Sequence, residues 1–305
     1  MSCVSRPSAY LVWLEWPEKC FRVDAEALRY LKSAVPKGSC VIRARSEAAF
    51  LHALPKATHA VVWNFKPEWF AKAPRLKVLA TPAAGQELVP TRGPKGVKIH
   101  FGHFHGAIMA ESVAAFVLAW ARGFFRPELK KGAWPRTELS DKLYDVAGTK
   151  AVIAGYGNVG RAIGAKLSAL GVEVAGVTRK NAKALLKLAQ EADWFVMALP
   201  STTGTDNFLN AALLRKLPRK CVVINVGRGN AIDEKALCAA LKTHRLAGAY
   251  LDVRKHEPSG TVPEFGANVR GLDALWNCII TPHASAFSPR YVKLCFKELK
   301  DDGCL

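Results

Sequence analysis

Short apolar, β-branched runs alternate along the chain with stretches whose apolar positions recur at helical spacing. That alternation is what a parallel sheet covered by helices requires, so the pattern predicts an α/β fold. In the N-terminal third, runs at 10–14, 40–44, 60–63 and 77–80 read as strands, with helices over 25–34 and 47–54. A second series of runs at 150–154, 172–177, 194–198, 221–225, 249–253 and 278–281 supplies six strands, which suits a doubly wound (Rossmann) nucleotide-binding sheet. Between the two series, residues 107–125 are apolar enough for one long buried helix, and the Pro- and Lys-bearing stretch 126–136 reads as a surface arm. The pattern thus divides the chain into a smaller α/β domain over 1–106 and a dinucleotide domain over 107–286. Residues 258–271, rich in Pro and Gly, form the one obvious long loop, and no internal repeat is present.

Charge adds a partner class. Lys and Arg number 44 against 25 Asp and Glu, a formal charge of +19 that attracts anions. The densest basic groups, at 126–136 and 215–220, are interrupted by Pro, Leu and Trp rather than forming a tail. Nucleic acid is therefore disfavoured against a small anionic metabolite or a phosphate-bearing cofactor. The eight cysteines include no CxxC pair and read as reduced thiols of a cytoplasmic protein. The apolar stretch 9–14 is cut by Glu15 and Glu18, too soon for a signal-peptide core or a membrane span, so no membrane association is expected. His103 and His105 form an H-x-H with no accompanying ligand pattern; a loop or helix-start role is favoured and no metal is expected.

The most specific local signal is Gly155-Tyr156-Gly157-Asn158-Val159-Gly160, placed between the strand at 150–154 and a helix over 159–170. The first Gly permits the tight turn, the second lets backbone approach a pyrophosphate, and the third allows close packing of helix on strand. The free N–H groups at the helix start favour phosphate charge. At the end of the next strand, where NAD sites commonly place an acid, the chain reads Thr178-Arg179-Lys180. A hydroxyl and two cations complement a 2′-phosphate, so NADP(H) is preferred and NAD(H) kept as the second choice. The plainer alternative makes Arg179 and Lys180 a solvated helix start.

Three later segments carry polar residues where strands end: Asn225-Val226-Gly227-Arg228-Gly229, Leu251-Asp252-Val253 running on to His256-Glu257-Pro258, and Ile280-Thr281-Pro282-His283. With the glycine loop, with Leu199-Pro200 and Thr205, with Asp233-Glu234, and with Leu275-Trp276-Asn277, they closely resemble the D-isomer-specific 2-hydroxyacid dehydrogenase family, which includes glyoxylate/hydroxypyruvate reductases and phosphoglycerate dehydrogenases. The resemblance spans most of the chain. It implies a flavodoxin-like first domain to which residues 287–305 return, and a hydride transfer between NAD(P)(H) and a small anionic 2-keto or 2-hydroxy acid. It also implies a homodimer assembled through the 107–125 helix and the arm after it.

The chemistry of that reaction explains the three residue types. The alkoxide left by hydride addition must be protonated, a task for an imidazole titrating near neutrality, and His283 takes it. A carboxylate beside the ring favours the imidazolium and fixes its orientation, which is the part of Glu257. The substrate carboxylate and its polarised carbonyl call for a planar, permanently charged donor, which Arg228 supplies. By resemblance, Leu199, Pro200, Thr205, Val226, Gly227 and Asp252 line the cofactor, Asp252 near the nicotinamide amide. Also by resemblance, the loop Pro82-Ala83-Ala84-Gly85 offers the N–H groups of Ala83, Ala84 and Gly85 to the substrate carboxylate. Two departures stand out: Ala284-Ser285-Ala286 follows His283 where many members carry glycines, and the stretch from Pro258 to Trp276 is longer than usual. Two other functions fit the same motifs: an NAD-linked dehydrogenase of a larger or phosphorylated 2-hydroxy acid, and a dinucleotide-sensing scaffold or corepressor.

Overall fold

The computed structural model describes residues 7–257 and 270–305. The long loop expected at 258–271 lies outside the described residues up to position 269. The chain divides into two compact units, Met1–His105 with Phe287–Leu305, and Gly106–Ala286.

In unit 1, β1 (Ala9–Trp13), β2 (Cys40–Arg43), β3 (His59–Val62), β4 (Val78–Thr81) and β5 (Lys98–Phe101) form a parallel sheet in the order β2-β1-β3-β4-β5. That order is the flavodoxin-type winding. Helices α1 (Ala25–Ala34) and α2 (Glu47–Ala53) start at Asp24 and Ser46, whose side chains accept from the N–H groups of Ala27 and Ala49. Those bonds satisfy donors that the first turn leaves free. β5 is absent from the strands that the hydrophobic pattern marks. It is an edge strand with a charged first residue and a histidine within it, so it lacks the apolar run that identifies its buried neighbours.

In unit 2, β6 (Lys150–Ala154), β7 (Glu173–Val177), β8 (Trp194–Met197), β9 (Val222–Asn225), β10 (Gly248–Leu251) and β11 (Cys278–Ile280) form a second parallel sheet, ordered β11-β10-β9-β8-β6-β7. Neighbouring residues of β8 enter opposite cores: Trp194 and Val196 pack on one face, Phe195 and Met197 on the other. A strand buried on both faces reads as an uninterrupted apolar run, which is why these strands stand out in the sequence. The covering helices are α3 (Gly106–Ala121), α4 (Arg136–Leu139), α5 (Asn158–Ser168), α6 (Leu185–Ala189), α7 (Ala211–Leu214), α8 (Glu234–Lys242) and α9 (Arg270–Asp273).

Helix α3 is shorter than the apolar stretch that encodes it. Gly123 takes φ +74° and its N–H returns to the Trp120 carbonyl, so a left-handed glycine ends the helix before Phe124. Phe124 and Trp134 beyond it are 69% and 90% exposed. The winding reverses between β6 and β8, whose C-terminal ends therefore border the position where open α/β sheets bind ligands. The last helix, α10 (Tyr291–Asp301), belongs to unit 1, packs on α1, and pairs Lys293 with Glu26 at 2.6 Å. Among the described residues no helix is long and apolar enough to cross a membrane.

Candidate active site

The turn after β6 is built by three glycines with three different duties. Gly155 lies at φ +93°, and a Cβ there would sit 2.5 Å from the Ala198 carbonyl oxygen. At Gly160 a Cβ would sit 2.3 Å from the carbonyl oxygen of Gly155, so the first and third glycines are demanded by the protein's own packing. Gly157 is different: it is exposed, and no atom lies within 4 Å of where its Cβ would be. The chain itself does not require a glycine there; an approaching phosphate does. The helix α5 that follows has no side-chain cap and no acidic residue in its first turn, which leaves its N-terminal N–H groups and dipole to an anion. These features fit a dinucleotide pyrophosphate.

Around this turn, Tyr156 lies against Gly176 and Gly164, where a Cβ would come within 2.3 Å and 2.8 Å of it. Asn158 accepts from Arg161 at 2.6 Å, and Val159 is half-buried. Thr178, Arg179 and Lys180 are all exposed at the end of β7, and among the described residues neither cation has an ion-pair partner. Asn181 holds this segment: its Oδ1 accepts from the Thr178 N–H and hydroxyl at 2.7 and 2.9 Å, and its amide donates to the Gly176 carbonyl. After β8, the Thr205 hydroxyl donates to the Pro200 carbonyl at 2.7 Å and closes the turn that begins at Leu199. A Cβ at Gly227 would lie 2.6 Å from Leu199 backbone, so the β8 and β9 turns meet at Gly227, with Val226 buried beside it.

Three loops leave the C-terminal ends of β9, β10 and β11. In the first, buried Asn225 accepts from the Gly227 N–H and donates to the Arg228 carbonyl, which shapes the turn that presents Arg228. In the third, His283 occupies φ +53°, a left-handed conformation rare for a residue with a side chain. Its N–H donates to the carbonyls of Asp252 and Thr281. Such a backbone costs about 1–2 kcal/mol and persists where surrounding structure over-determines it. Here the Asp252 carboxylate does so: 1% exposed, it accepts from the Thr281 hydroxyl at 2.5 Å and from the N–H groups of Ala284 and Ser285 at 2.9–3.1 Å.

His283 Nδ1 donates to Glu257 Oε2 at 2.9 Å, and both side chains are about half exposed. The hydrogen bond to Glu257 pushes the His283 imidazole above its ordinary range, outweighing partial burial, with the nearby Glu257 and Asp252 charges adding to it. Burial alone would raise the Glu257 carboxyl, but the hydrogen bond and charge of His283, the Arg254 N–H and the Arg228 guanidinium hold it below its ordinary range. Arg228 also pulls the imidazole back down, so the electrostatic field of one guanidinium reaches both partners. The three sequence-predicted catalytic groups are thus brought together within unit 2.

Sequence reasoning missed the anchor beneath them. The Arg254 guanidinium, 8% exposed, donates to both oxygens of Glu234 at 2.9 and 3.1 Å and to Asp273 at 3.4 Å. The Arg254 N–H meets Glu257 Oε1 at 3.3 Å, and Lys255 N–H meets Glu234. At Gly229 a Cβ would fall 1.9 Å from the Arg254 carbonyl carbon, so the Arg228 loop lies directly on this anchored backbone. Nothing in the spacing of 228, 234, 254 and 273 signals that cluster. We predict that Arg254→Met, which leaves Glu234 and Asp273 without their cation under the loop that carries Glu257, raises the apparent pKa seen in the kcat/KM profile and lowers kcat by about 10-fold; an unchanged profile would remove Arg254 from this role.

In unit 1, the segment after β4 departs from expectation at one atom. The Ala83 N–H already donates to Thr81 Oγ1 at 3.2 Å, and the Ala83 carbonyl accepts from Gly102. The expectation that Ala83, Ala84 and Gly85 all offer N–H groups therefore narrows to Ala84 and Gly85.

A doubly wound sheet, a glycine turn open for a pyrophosphate and an imidazole–carboxylate–guanidinium set define a dinucleotide-dependent dehydrogenase. Residues 114–285 match the model of the D-isomer specific 2-hydroxyacid dehydrogenase NAD-binding domain, and the chain belongs to that family of NAD(P)-dependent oxidoreductases. The glycerate dehydrogenase of Methylorubrum extorquens is 28% identical over 241 residues, 75% of each chain. The glyoxylate reductase of Thermococcus kodakarensis is 27% identical over 238 residues, 71% of this chain and 69% of that one. Among solved structures, the NADPH-dependent glyoxylate/hydroxypyruvate reductase of Sinorhizobium meliloti, in complex with NADP and sulfate, superposes with a TM-score of 0.73 at 27% identity, covering 96% of this chain and 93% of that one.

Proposed function

We propose that the protein reduces a small 2-keto acid such as glyoxylate or hydroxypyruvate with NADPH, using Arg228, Glu257 and His283. The observation that carries this reading is the 2.9 Å His283–Glu257 pair, whose imidazole is raised toward the protonated form under the reach of Arg228. The nicotinamide supplies the hydride. Because Glu257 takes the Nδ1 proton as its hydrogen bond, Nε2 of His283 carries the proton for the carbonyl oxygen, and the same atom accepts it in oxidation. Glu257 stays ionised and holds the ring's orientation. Arg228 binds the carboxylate and polarises the carbonyl with its planar fork. Asp252 enforces the strained turn at His283, and this is a positioning role added to the contact with the cofactor amide that the resemblance assigns it.

The basic, exposed end of β7 supports NADP(H) over NAD(H), since Arg179 and Lys180 are exposed and have no ion-pair partner among the described residues. Arg179→Asp is expected to weaken NADPH by at least about 10-fold while changing NADH little; equal losses for both cofactors would refute the phosphate contact. Exposed Leu118, Phe124, Leu129 and Trp134 on unit 2 support assembly as a homodimer, and the free thiols suit a cytoplasmic setting. In unit 1, Ala84 and Gly85 are assigned to the substrate carboxylate on the resemblance alone. The whole reading is tested by following nicotinamide absorbance with NADPH and NADH against glyoxylate, hydroxypyruvate, pyruvate and phosphorylated acids. Turnover only with NADH and a phosphorylated acid would favour the larger-substrate reading, and tight cofactor binding without any turnover would favour a sensing scaffold.

A further inference from the structure

At the end of β5, His100 and His103 face Glu298 and Asp302 of the C-terminal helix within unit 1. The two acids are four residues apart on α10 and its C-cap, so their carboxylates share one helix face. His100 Nε2 lies 3.0 Å from Glu298 Oε1, and His100 Nδ1 lies 3.8 Å from Asp302 Oδ2. His103 Nδ1 lies 3.0 Å from Glu298 Oε2, and His103 Nε2 lies 2.8 Å from Asp302 Oδ2. One ligand atom from each of the four falls within 4.8 Å of all the others.

Three features separate this cluster from an ordinary surface ion pair. Glu298 and His100 are buried, at 7% and 8% exposure, and a buried carboxylate demands a compensating positive charge. In a chain with 44 Lys and Arg, that charge is not taken from them: among the described residues no Lys or Arg pairs with either carboxylate, and Lys98 reaches only the Asp302 backbone carbonyl. Glu298 is also oriented in advance, because the His103 N–H donates to both its oxygens at 3.1 and 3.0 Å. A fixed carboxylate of that kind is what outer hydrogen bonds provide around metal ligands.

From this geometry we propose that His100, His103, Glu298 and Asp302 form a binding site for a borderline-soft divalent cation, zinc foremost. Two neutral imidazoles and two carboxylates match the charge and donor preference of Zn²⁺, and exclude a strong preference for Mg²⁺ or Ca²⁺, which favour all-oxygen shells. Tetrahedral bonds of about 2.0–2.1 Å place ligand atoms about 3.3 Å apart, and the four ligand atoms here, one from each residue, lie within 4.8 Å of one another. His103 and Asp302, both exposed, give the ion a path in. Bound there, the cation clasps α10 onto β5 across a sequence separation of 198 residues. The H-x-H of the sequence is not the pair that matters: His103 teams with His100, and His105 instead meets Tyr291 at 2.7 Å.

The test uses the full-length chain stripped with chelator and titrated with ZnCl₂, MgCl₂ serving as control. Zinc is expected to bind at one ion per chain and to raise Tm by about 5 °C when saturating, with magnesium without effect. His103→Ala and Asp302→Asn, both at exposed positions, should fold normally and bind zinc at least about 100-fold more weakly. An anomalous peak among the four residues at the zinc edge would place the ion directly. If zinc shifts neither Tm nor stoichiometry, or acts equally on wild type and both variants through the cysteines, the cluster is held by its own hydrogen bonds alone and the proposal falls.

Discussion

His283→Ala lowers the turnover of 2-keto acid reduction by about 10²–10⁴-fold while leaving the affinity for the dinucleotide nearly unchanged. The size follows from the loss of a positioned proton donor, and the selectivity from geometry: the turn at Gly155–Gly160 and the end of β7, proposed to receive the cofactor, share no hydrogen bond with the imidazole among the described residues. The side chain is about half exposed and its backbone turn is enforced by Asp252, so the alanine variant keeps the fold. Steady-state kinetics paired with a cofactor titration reads both quantities. A variant that turns over at near-normal rate would exclude His283 as the proton donor.

Arg228→Gln raises KM for the keto acid and lowers kcat/KM by about 10²–10³-fold, the loss of two charge-assisted hydrogen bonds at about 1.5–3 kcal/mol each, partly replaced by the amide. It has a second signature that a mere binding role would not give. Arg228 depresses the His283 imidazole, so its removal raises the apparent pKa of the remaining activity. A fall in kcat/KM with no movement of the pH profile would place Arg228 away from the proton donor.

The parts of this site that were readable in the sequence are those whose cause is local. Gly155 and Gly160 answer to the turn they occupy and Gly157 to the ligand it leaves room for, and the six strands of unit 2 answer to burial on both faces. Arg228, Glu257 and His283 were identified through the strand ends that carry them and the family they resemble. What stayed hidden depends on contacts between distant stretches. The Arg254–Glu234–Asp273 anchor, the left-handed turn at His283 and the four bonds of Asp252 each join residues from separate loops. Tyr156 explains why Gly164 and Gly176 are small, but only once β7 and α5 are packed together. β5 is not marked because an edge strand needs no continuous apolar run, and the helix ends short of the apolar stretch 107–125 because Gly123 takes a left-handed conformation that the hydrophobic pattern does not register.

The proton balance of the His283–Glu257 pair is open to one direct measurement, the pH dependence of kcat/KM for NADPH-driven reduction in wild type and in Glu257→Gln. With His283 as the proposed proton donor, the protonated imidazole is the active form, so the wild-type rate should hold at low pH and fall as pH rises through an apparent pKa above the ordinary imidazole value of about 6.5. Removing the carboxylate should move that fall to lower pH and reduce the plateau, and the oxidation direction should mirror it, rising through the same pKa. A profile that is flat across the imidazole range, or identical in the two proteins, would contradict catalysis by this pair.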